Sequence, residues 1–198
     1  AVKYFEVAAT KESVWALYYL GECYFYGKGV EKDAEKAVEY YTKAAEQGNT
    51  LAASTLGDRY SYGEGVKKDF AEAVKWYAVA ADAGNEWAQN KLANCYYYGD
   101  GVEQDEAKAL EYFKKSAEAG NKNSMSRLGE CYYYGRGTEQ NYEEAFKWYQ
   151  TAAEAGHNIS KYSVGNCYFA GNGVEQNYEE AIKWFTEAAE QNIEGAMN

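Results

Sequence analysis

LGECYFYGKGV, residues 20–30, decides the fold, because the chain repeats this phrase every 36 residues. It returns at 56–66 as LGDRYSYGEGV and at 92–102 as LANCYYYGDGV. It returns again at 128–138 as LGECYYYGRGT and at 164–174 as VGNCYFAGNGV. No insertion or deletion disturbs the spacing. A fixed period of this size predicts a solenoid, in which each unit buries its apolar face only against its neighbours. A length of 198 residues would by itself permit one or two globular domains. The repeat predicts instead a single elongated domain over 1–198. It comprises a partial repeat at 1–19 and repeats at 20–55, 56–91, 92–127, 128–163 and 164–198.

Each repeat reads as a helical hairpin. Apolar and aromatic residues from Val14 to Tyr26 recur at helical rather than alternating spacing. Gly27-Lys28-Gly29 stops that helix, since glycine tolerates the left-handed conformation of a helix C-terminus. Asp33 then caps a second helix from Ala34 to Gln47, and Asp69, Asp105, Asn141 and Asn177 match it. Glu72, Glu144 and Glu180 follow three of these caps at capping-box spacing. Gly48, Gly84, Gly120 and Gly156 end the second helix, and Asn192 is expected to do so in the last copy. Two alanines never vary between copies: the set Ala37, Ala73, Ala109, Ala145, Ala181 and the set Ala45, Ala81, Ala117, Ala153, Ala189. They predict close approach of the helices. Tyr24, Tyr60, Tyr96, Tyr132 and Tyr168 are expected to fill the space between hairpins, with any buried hydroxyl bonded to a backbone carbonyl. Tyr40, Trp76, Tyr112, Trp148 and Trp184 are assigned a similar part on the second helix. The expected fold is all-α, a right-handed α/α superhelix of about five and a half hairpins.

These residues resemble the Sel1-like repeat, a relative of the tetratricopeptide repeat with a longer turn between its helices. The match lies in LGxCYxxGxGV followed by a capped KAxxWYxxAAEQG, and residues 20–191 fit it without a gap. Family members often carry Pro after the G-x-G-V turn, whereas this chain has Glu31, Lys67, Glu103, Glu139 and Glu175. One bacterial branch has two cysteines per repeat, joined as a disulfide. Here Cys23, Cys95, Cys131 and Cys167 give one per repeat, and Arg59 stands at that position in the second copy. Stacked helices lie roughly 8–10 Å apart, and a disulfide needs Cα atoms within about 7 Å. Buried or half-buried free thiols are therefore expected, and the disulfide framework of that branch is not carried over.

No catalytic set emerges. The one histidine, His157, falls in a turn between repeats, where other copies have Asn49, Asn85 and Asn121. The G-x-G turns lie between helices, not between a strand and a helix, so they are not dinucleotide sites. Asp100–Asp105 lacks the alternating ligands of a calcium loop. The cysteine-rich branch has been linked to penicillin binding, but this chain contains no S-x-x-K. Neither enzyme activity nor a metal or other cofactor is expected. The net charge of −11 disfavours nucleic acid, which needs a basic face, and favours neutral or basic partners. No apolar run is long enough for membrane insertion.

The expected function is a non-enzymatic scaffold or adaptor that binds a protein or peptide in a concave groove. Resemblance to tetratricopeptide arrays implies that the first helix of each hairpin lines that groove. Residues free to read a partner should vary between copies. Four such positions, spaced by three or four residues, form one helical stripe. It offers Trp15, Tyr18, Glu22, Phe25, Asp58, Trp87, Asn94, Tyr97, Glu130, Tyr133, Tyr162, Asn166 and Phe169 as the candidate site. Aromatics there supply rigid contact area, and the carboxylates attract Lys or Arg. Two alternatives are a penicillin-binding enzyme and a structural protein that self-associates through its ends. Ala1–Phe5 aligns with Ala37–Tyr41, and the chain stops at Gly195-Ala196-Met197-Asn198 where the next first helix is due. Both ends thus fall inside the pattern, and uncapped solenoid ends invite self-association.

Overall fold

Turn chemistry sets both ends of each helix, and eleven helices and no strands result among the described residues. The computed structural model describes residues 2–9 and 13–197, the last seven of them as backbone only. The helices are α1 (Val2–Ala9), α2 (Val14–Tyr26), α3 (Ala34–Glu46), α4 (Thr50–Tyr62), α5 (Phe70–Asp82) and α6 (Glu86–Tyr98). They continue with α7 (Glu106–Glu118), α8 (Lys122–Tyr134), α9 (Tyr142–Glu154), α10 (Asn158–Ala170) and α11 (Tyr178–Met197). The chain divides into two compact units, residues 1–104 and 105–198. In the first, α2 pairs with α3 and α4 with α5, while α1 packs on α2 and α5 on α6. In the second, α8 pairs with α9 and α10 with α11, while α7 packs on α8 and α9 on α10. The lone α1 takes the place of a second helix, as the alignment of residues 1–5 predicts.

Polar caps start every helix from α2 to α10. The side chains of Asp33 and Asn141 accept the backbone N–H three residues on, at 2.9 and 3.0 Å. The capping box, however, is only half formed. Glu72 and Glu144 reach forward to Lys75 and Lys147 instead of back to the cap. The cap N–H groups already have a better acceptor. Asp33 donates to the Tyr24 carbonyl at 2.8 Å, and Asp69, Asn141 and Asn177 donate likewise to Tyr60, Tyr132 and Tyr168. This bond closes the long turn and satisfies one of the orphan carbonyls at the end of the first helix.

Each G-x-G turn also rests on the preceding repeat. Gly65 has φ +76°, and a Cβ there would lie 2.2 Å from the Ala34 carbonyl oxygen. Both the backbone conformation and the close approach therefore demand glycine. The last helix departs from the expected pattern. Asn192 does not end it, and α11 runs on to Met197. Earlier copies combine a glycine stop with a polar cap for the next helix, as in Gly48-Asn49. The last copy has Asn192-Ile193 there, which supplies neither the permissive glycine nor a capping side chain.

The core is made by the alanines, by Leu20, Leu56, Leu92, Leu128 and Val164, and by one aromatic per hairpin. Ala37, Ala73, Ala109 and Ala145 are wholly buried, as their invariance predicts. The aromatics singled out from the sequence are less central. Tyr40, Trp76, Tyr112, Trp148 and Trp184 are half-buried. The residue after each is the one that fills the core: Tyr41, Tyr77 and Phe113 are at most 2% exposed, and Tyr149 is buried. Tyr41 and Tyr77 lie in the gap left by a glycine within the facing helix. A Cβ on Gly21 would sit 2.5 Å from the Tyr41 ring, and one on Gly57 would sit 2.4 Å from Tyr77. Gly129 and Gly165 admit Tyr149 and Phe185 in the same way. Tyr24 stacks on Tyr40 at 5.5 Å, and its cationic neighbour is Lys36, whose ammonium lies 4.2 Å above the ring.

Helix propensity alone would favour Ala over Gly by about 1 kcal/mol. The enclosed Tyr77 ring reverses that sign. Gly57→Ala is expected to lower the unfolding free energy by about 1–3 kcal/mol through overpacking, measured by urea denaturation followed by circular dichroism.

Candidate partner-binding face

The first helices are held by their own caps, and the turn residues Asn49, Asn85, Asn121 and His157 are among them. Ser13, Asn49, Asn85 and Asn121 each accept a backbone N–H three residues on. His157 replaces asparagine at this position ahead of α10. Its Nδ1 accepts the Ser160 N–H at 3.3 Å and faces the Ser160 hydroxyl at 2.9 Å. The histidine thus has a structural part, and burial, with the charges of Lys122 and Arg127, pushes its pKa below the ordinary value.

The hairpin packing rotates each first helix so that a particular stripe faces solvent. Trp15, Leu51, Trp87 and Ile159 are exposed, as expected for the first stripe position. At the next position the exposed residue in α2 is Tyr19, at 45%, and not Tyr18. Tyr18 is half-buried, its ring 5.9 Å from that of Tyr41, and Ser54 and Asn90 at the same repeat position are buried. At the last position Tyr26, Tyr62, Tyr98 and Tyr134 are 53–61% exposed. Their predecessors Phe25 and Tyr133 are half-buried, and Tyr97 is buried. Only in α10 do Tyr162, Asn166 and Phe169 all remain open. The accessible stripe in α2 is therefore Trp15, Tyr19, Glu22 and Tyr26, which keeps helical spacing one residue round from the expected line. Residue type alone does not mark the exposed tyrosines, because buried or half-buried aromatics stand within two residues of them in YFY, YSY and YYY.

The carboxylates on this face have inward as well as outward roles. The Tyr41 hydroxyl donates to Glu22 Oε1 at 2.7 Å, and the Tyr77 hydroxyl donates to Asp58 Oδ1 at 2.7 Å. Burial, reinforced by these carboxylates, holds both phenols well above the usual tyrosine range. Asp58 also accepts the Trp87 indole N–H at 3.4 Å and lies 3.9 Å from the Lys91 ammonium. Glu130 pairs with Arg127 at 2.8 Å and with Arg136 at 3.8 Å. Asn94 spends its amide N–H on the Asn90 carbonyl at 2.8 Å. Phe25 carries the Arg59 guanidinium 4.0 Å above its ring, and Arg59 pairs with Glu64 at 2.6 Å. Phe25 of α2 and Trp87 of α6 thus each meet a side chain of α4. In the second unit Tyr133 accepts the Asn172 amide at 2.8 Å, and Phe169 packs on Tyr178 at 5.4 Å.

The four cysteines are buried free thiols. Burial pushes Cys95 and Cys167 up to about 11 and Cys131 up to about 12, which keeps them protonated and poorly nucleophilic. Among the described residues no three His, Cys, Asp or Glu side chains come together as metal ligands. Among the same residues no helix is long and apolar enough to cross a membrane. On the last hairpin, Ile182 is 64% exposed, whereas Val38 and Val74 at the same repeat position are buried. Ala189 is likewise exposed, beside an apolar recess lined by Ile159, Tyr162, Phe185 and Ala188.

Paired helices of one length, joined by one turn type, define an α-helical repeat protein. The Sel1 repeat family matches residues 16–49, 51–85, 88–121, 122–157 and 159–193, and the chain belongs to that family. A solved protective antigen of uropathogenic Escherichia coli strains, displaying the same fold, is 38% identical over 96% of this chain with a TM-score of 0.93. This chain spans only 40% of that protein's length. A Sel1 repeat protein from Oxalobacter formigenes is 31% identical, with a TM-score of 0.89 over 96% of this chain and 80% of its own. Cysteine rich protein B of Helicobacter pylori shares the fold at 24% identity and a TM-score of 0.52, over 68% of this chain and 96% of its own. Comparison with curated protein sequences finds no match to this chain. Sel1 repeat proteins generally serve as protein-interaction scaffolds, typically without catalysis of their own.

The His157 cap works only as a neutral imidazole. Its depressed folded pKa means that the unfolded chain binds the proton first as pH falls below about 6.5. Stability is expected to decline from there down to the folded pKa. His157→Asn keeps the cap and removes this component. The stability advantage of the variant should therefore grow between about pH 7 and pH 5, measured by urea denaturation at each pH.

Proposed function

We propose that each unit binds a protein or peptide partner on the exposed stripe of its first helices. The observation that carries this reading is the set of open aromatics in each unit: Trp15, Tyr19, Tyr26, Tyr62, Trp87 and Tyr98 in the first, and Tyr134, Tyr162 and Phe169 in the second. Exposed tyrosine and tryptophan bring large rigid contact area at low entropic cost and dominate protein interfaces. Glu22, Asp58, Glu130 and Asn166 lie among them, and with a net charge of −11 they favour a neutral or basic segment. Trp15, Glu22, Trp87, Tyr162, Asn166 and Phe169 serve directly in this reading. Tyr18, Phe25, Asn94, Tyr97 and Tyr133 serve from behind, by packing and hydrogen bonding.

Affinity capture with quantitative mass spectrometry tests the face. The double variant Trp87→Ala plus Tyr98→Ala removes exposed rings only and should fold normally. It is expected to lose partners retained by the unaltered chain by about tenfold or more, as interface anchors do. Val79→Ser, on the exposed side of a second helix, should leave capture unchanged. Loss of capture in Val79→Ser with retention in the double variant would place binding on the opposite face.

A further inference from the structure

Three first helices carry the same pair, a carboxylate with an exposed tyrosine four residues on: Glu22–Tyr26, Asp58–Tyr62 and Glu130–Tyr134. In two of them the chain supplies its own cation. At Asp58 it is Lys91, whose ammonium lies 3.9 Å from Oδ1, 3.4 Å from the Tyr62 hydroxyl and 4.6 Å above the Trp87 ring. At Glu130 it is Arg136, 3.8 Å from the carboxylate and 5.4 Å above the Tyr134 ring, with Arg127 at 2.8 Å.

Glu22 is the exception. It holds the buried Tyr41 hydroxyl as Asp58 holds that of Tyr77. The residue one repeat before Lys91, however, is Thr55, which bonds Tyr18 and carries no charge. Among the described residues no ammonium or guanidinium lies within ion-pair distance of Glu22. Nearby cations are engaged elsewhere: Lys28 sits 4.8 Å above Tyr26, Lys32 lies 5.8 Å over Phe25, and Arg59 is paired with Glu64. In place of an internal lysine this position has more aromatic surface. Tyr18 and Tyr19 pack edge to face at 5.4 Å, and Trp15 lies beyond at 6.4 Å from Tyr19.

We propose that Glu22, flanked by Tyr19 and Tyr26, binds a lysine side chain of the partner segment, in the manner that Asp58, Tyr62 and Trp87 bind Lys91. A carboxylate beside aromatic faces is the chemistry that holds an alkylammonium, through charge and through the ring quadrupoles. The inference rests on the first-helix face being the binding surface and adds which partner group it selects.

The test uses the full 198-residue chain and a fluorescein-labelled peptide of alternating serine and lysine, with a norleucine counterpart, read by fluorescence anisotropy. The chain is expected to bind the lysine peptide in preference to the norleucine peptide. Glu22→Gln keeps an acceptor for Tyr41 and should weaken binding about tenfold, the size of one charge-assisted contact. Thr55→Lys supplies the internal cation that Asp58 already has and should block the site to a similar degree. Lys91→Thr should open a second lysine site at Asp58 and raise the stoichiometry. Glu39→Gln, an exposed acid on α3, should change nothing. Thermal melts by circular dichroism check that each variant is folded. Equal binding of the two peptides would overturn the proposal, as would unchanged binding in folded Glu22→Gln and Thr55→Lys. So would an equal loss in Glu39→Gln, which would mark a diffuse charge effect. Loss of the lysine peptide on Trp87→Ala plus Tyr98→Ala, with none on Glu22→Gln, would leave the face as the binding surface and remove the cation site.

Discussion

One contact governs the hairpins α2–α3, α4–α5, α8–α9 and α10–α11: an aromatic ring on the second helix seated on a glycine within the first. Tyr77 fills the space over Gly57 so closely that a single methyl group would overlap the ring. The ring is nearly inaccessible, and its hydroxyl is anchored to Asp58. The contact therefore sets both the distance between the two helices and the rotation of the first. Once the rotation is set, the residues that face solvent follow from helical geometry. The carboxylate that receives the hydroxyl stands at the edge of that face, so core packing and the candidate binding surface meet at one side chain.

Much of the fold was legible because its determinants are local. The period, the glycine stops and the Asp or Asn caps are read from adjacent residues, and the helices up to α10 begin and end where those residues place them, while α11 runs past Asn192. The invariant alanines are buried as expected, except Ala189 on the last hairpin. What was not legible depends on which of two neighbouring aromatics turns inward. Tyr40-Tyr41 and Trp76-Tyr77 offer two large rings in a row, and the inner one of each is the ring that meets a glycine of the facing helix. The same ambiguity shifted the expected stripe by one residue, from Tyr18 and Phe25 to Tyr19 and Tyr26. Glu72, Glu144 and Glu180 looked like capping-box partners because the cap N–H seemed to need one. A carbonyl nine residues upstream, at the end of the first helix, already supplied it.

Comparison between copies separates maintenance of the fold from variation at the surface. Positions that must recur are small or buried. The position of Lys91 varies freely, from Thr55 through Lys91 and Arg127 to Ser163, with the number of internal cations changing accordingly. A family of scaffolds can diversify in this way without altering its core, because an exposed side chain at a fixed register changes what a face attracts and little of what it packs against. The cysteines show the opposite behaviour. They recur because the interior tolerates a small thiol, and burial leaves them chemically quiet.

The rotation of the first helices is open to direct measurement by hydroxyl-radical footprinting with mass spectrometry of the folded chain. Trp15, Tyr19, Tyr26, Tyr62, Trp87, Tyr98 and Tyr134 should be labelled readily, while Tyr41, Tyr77, Tyr97 and Phe113 should remain protected until the protein unfolds. Labelling of Tyr77 and Tyr97 at the rate of Tyr62 and Tyr98 would contradict both the inward seat of the tyrosine on its glycine and the face that this seat exposes.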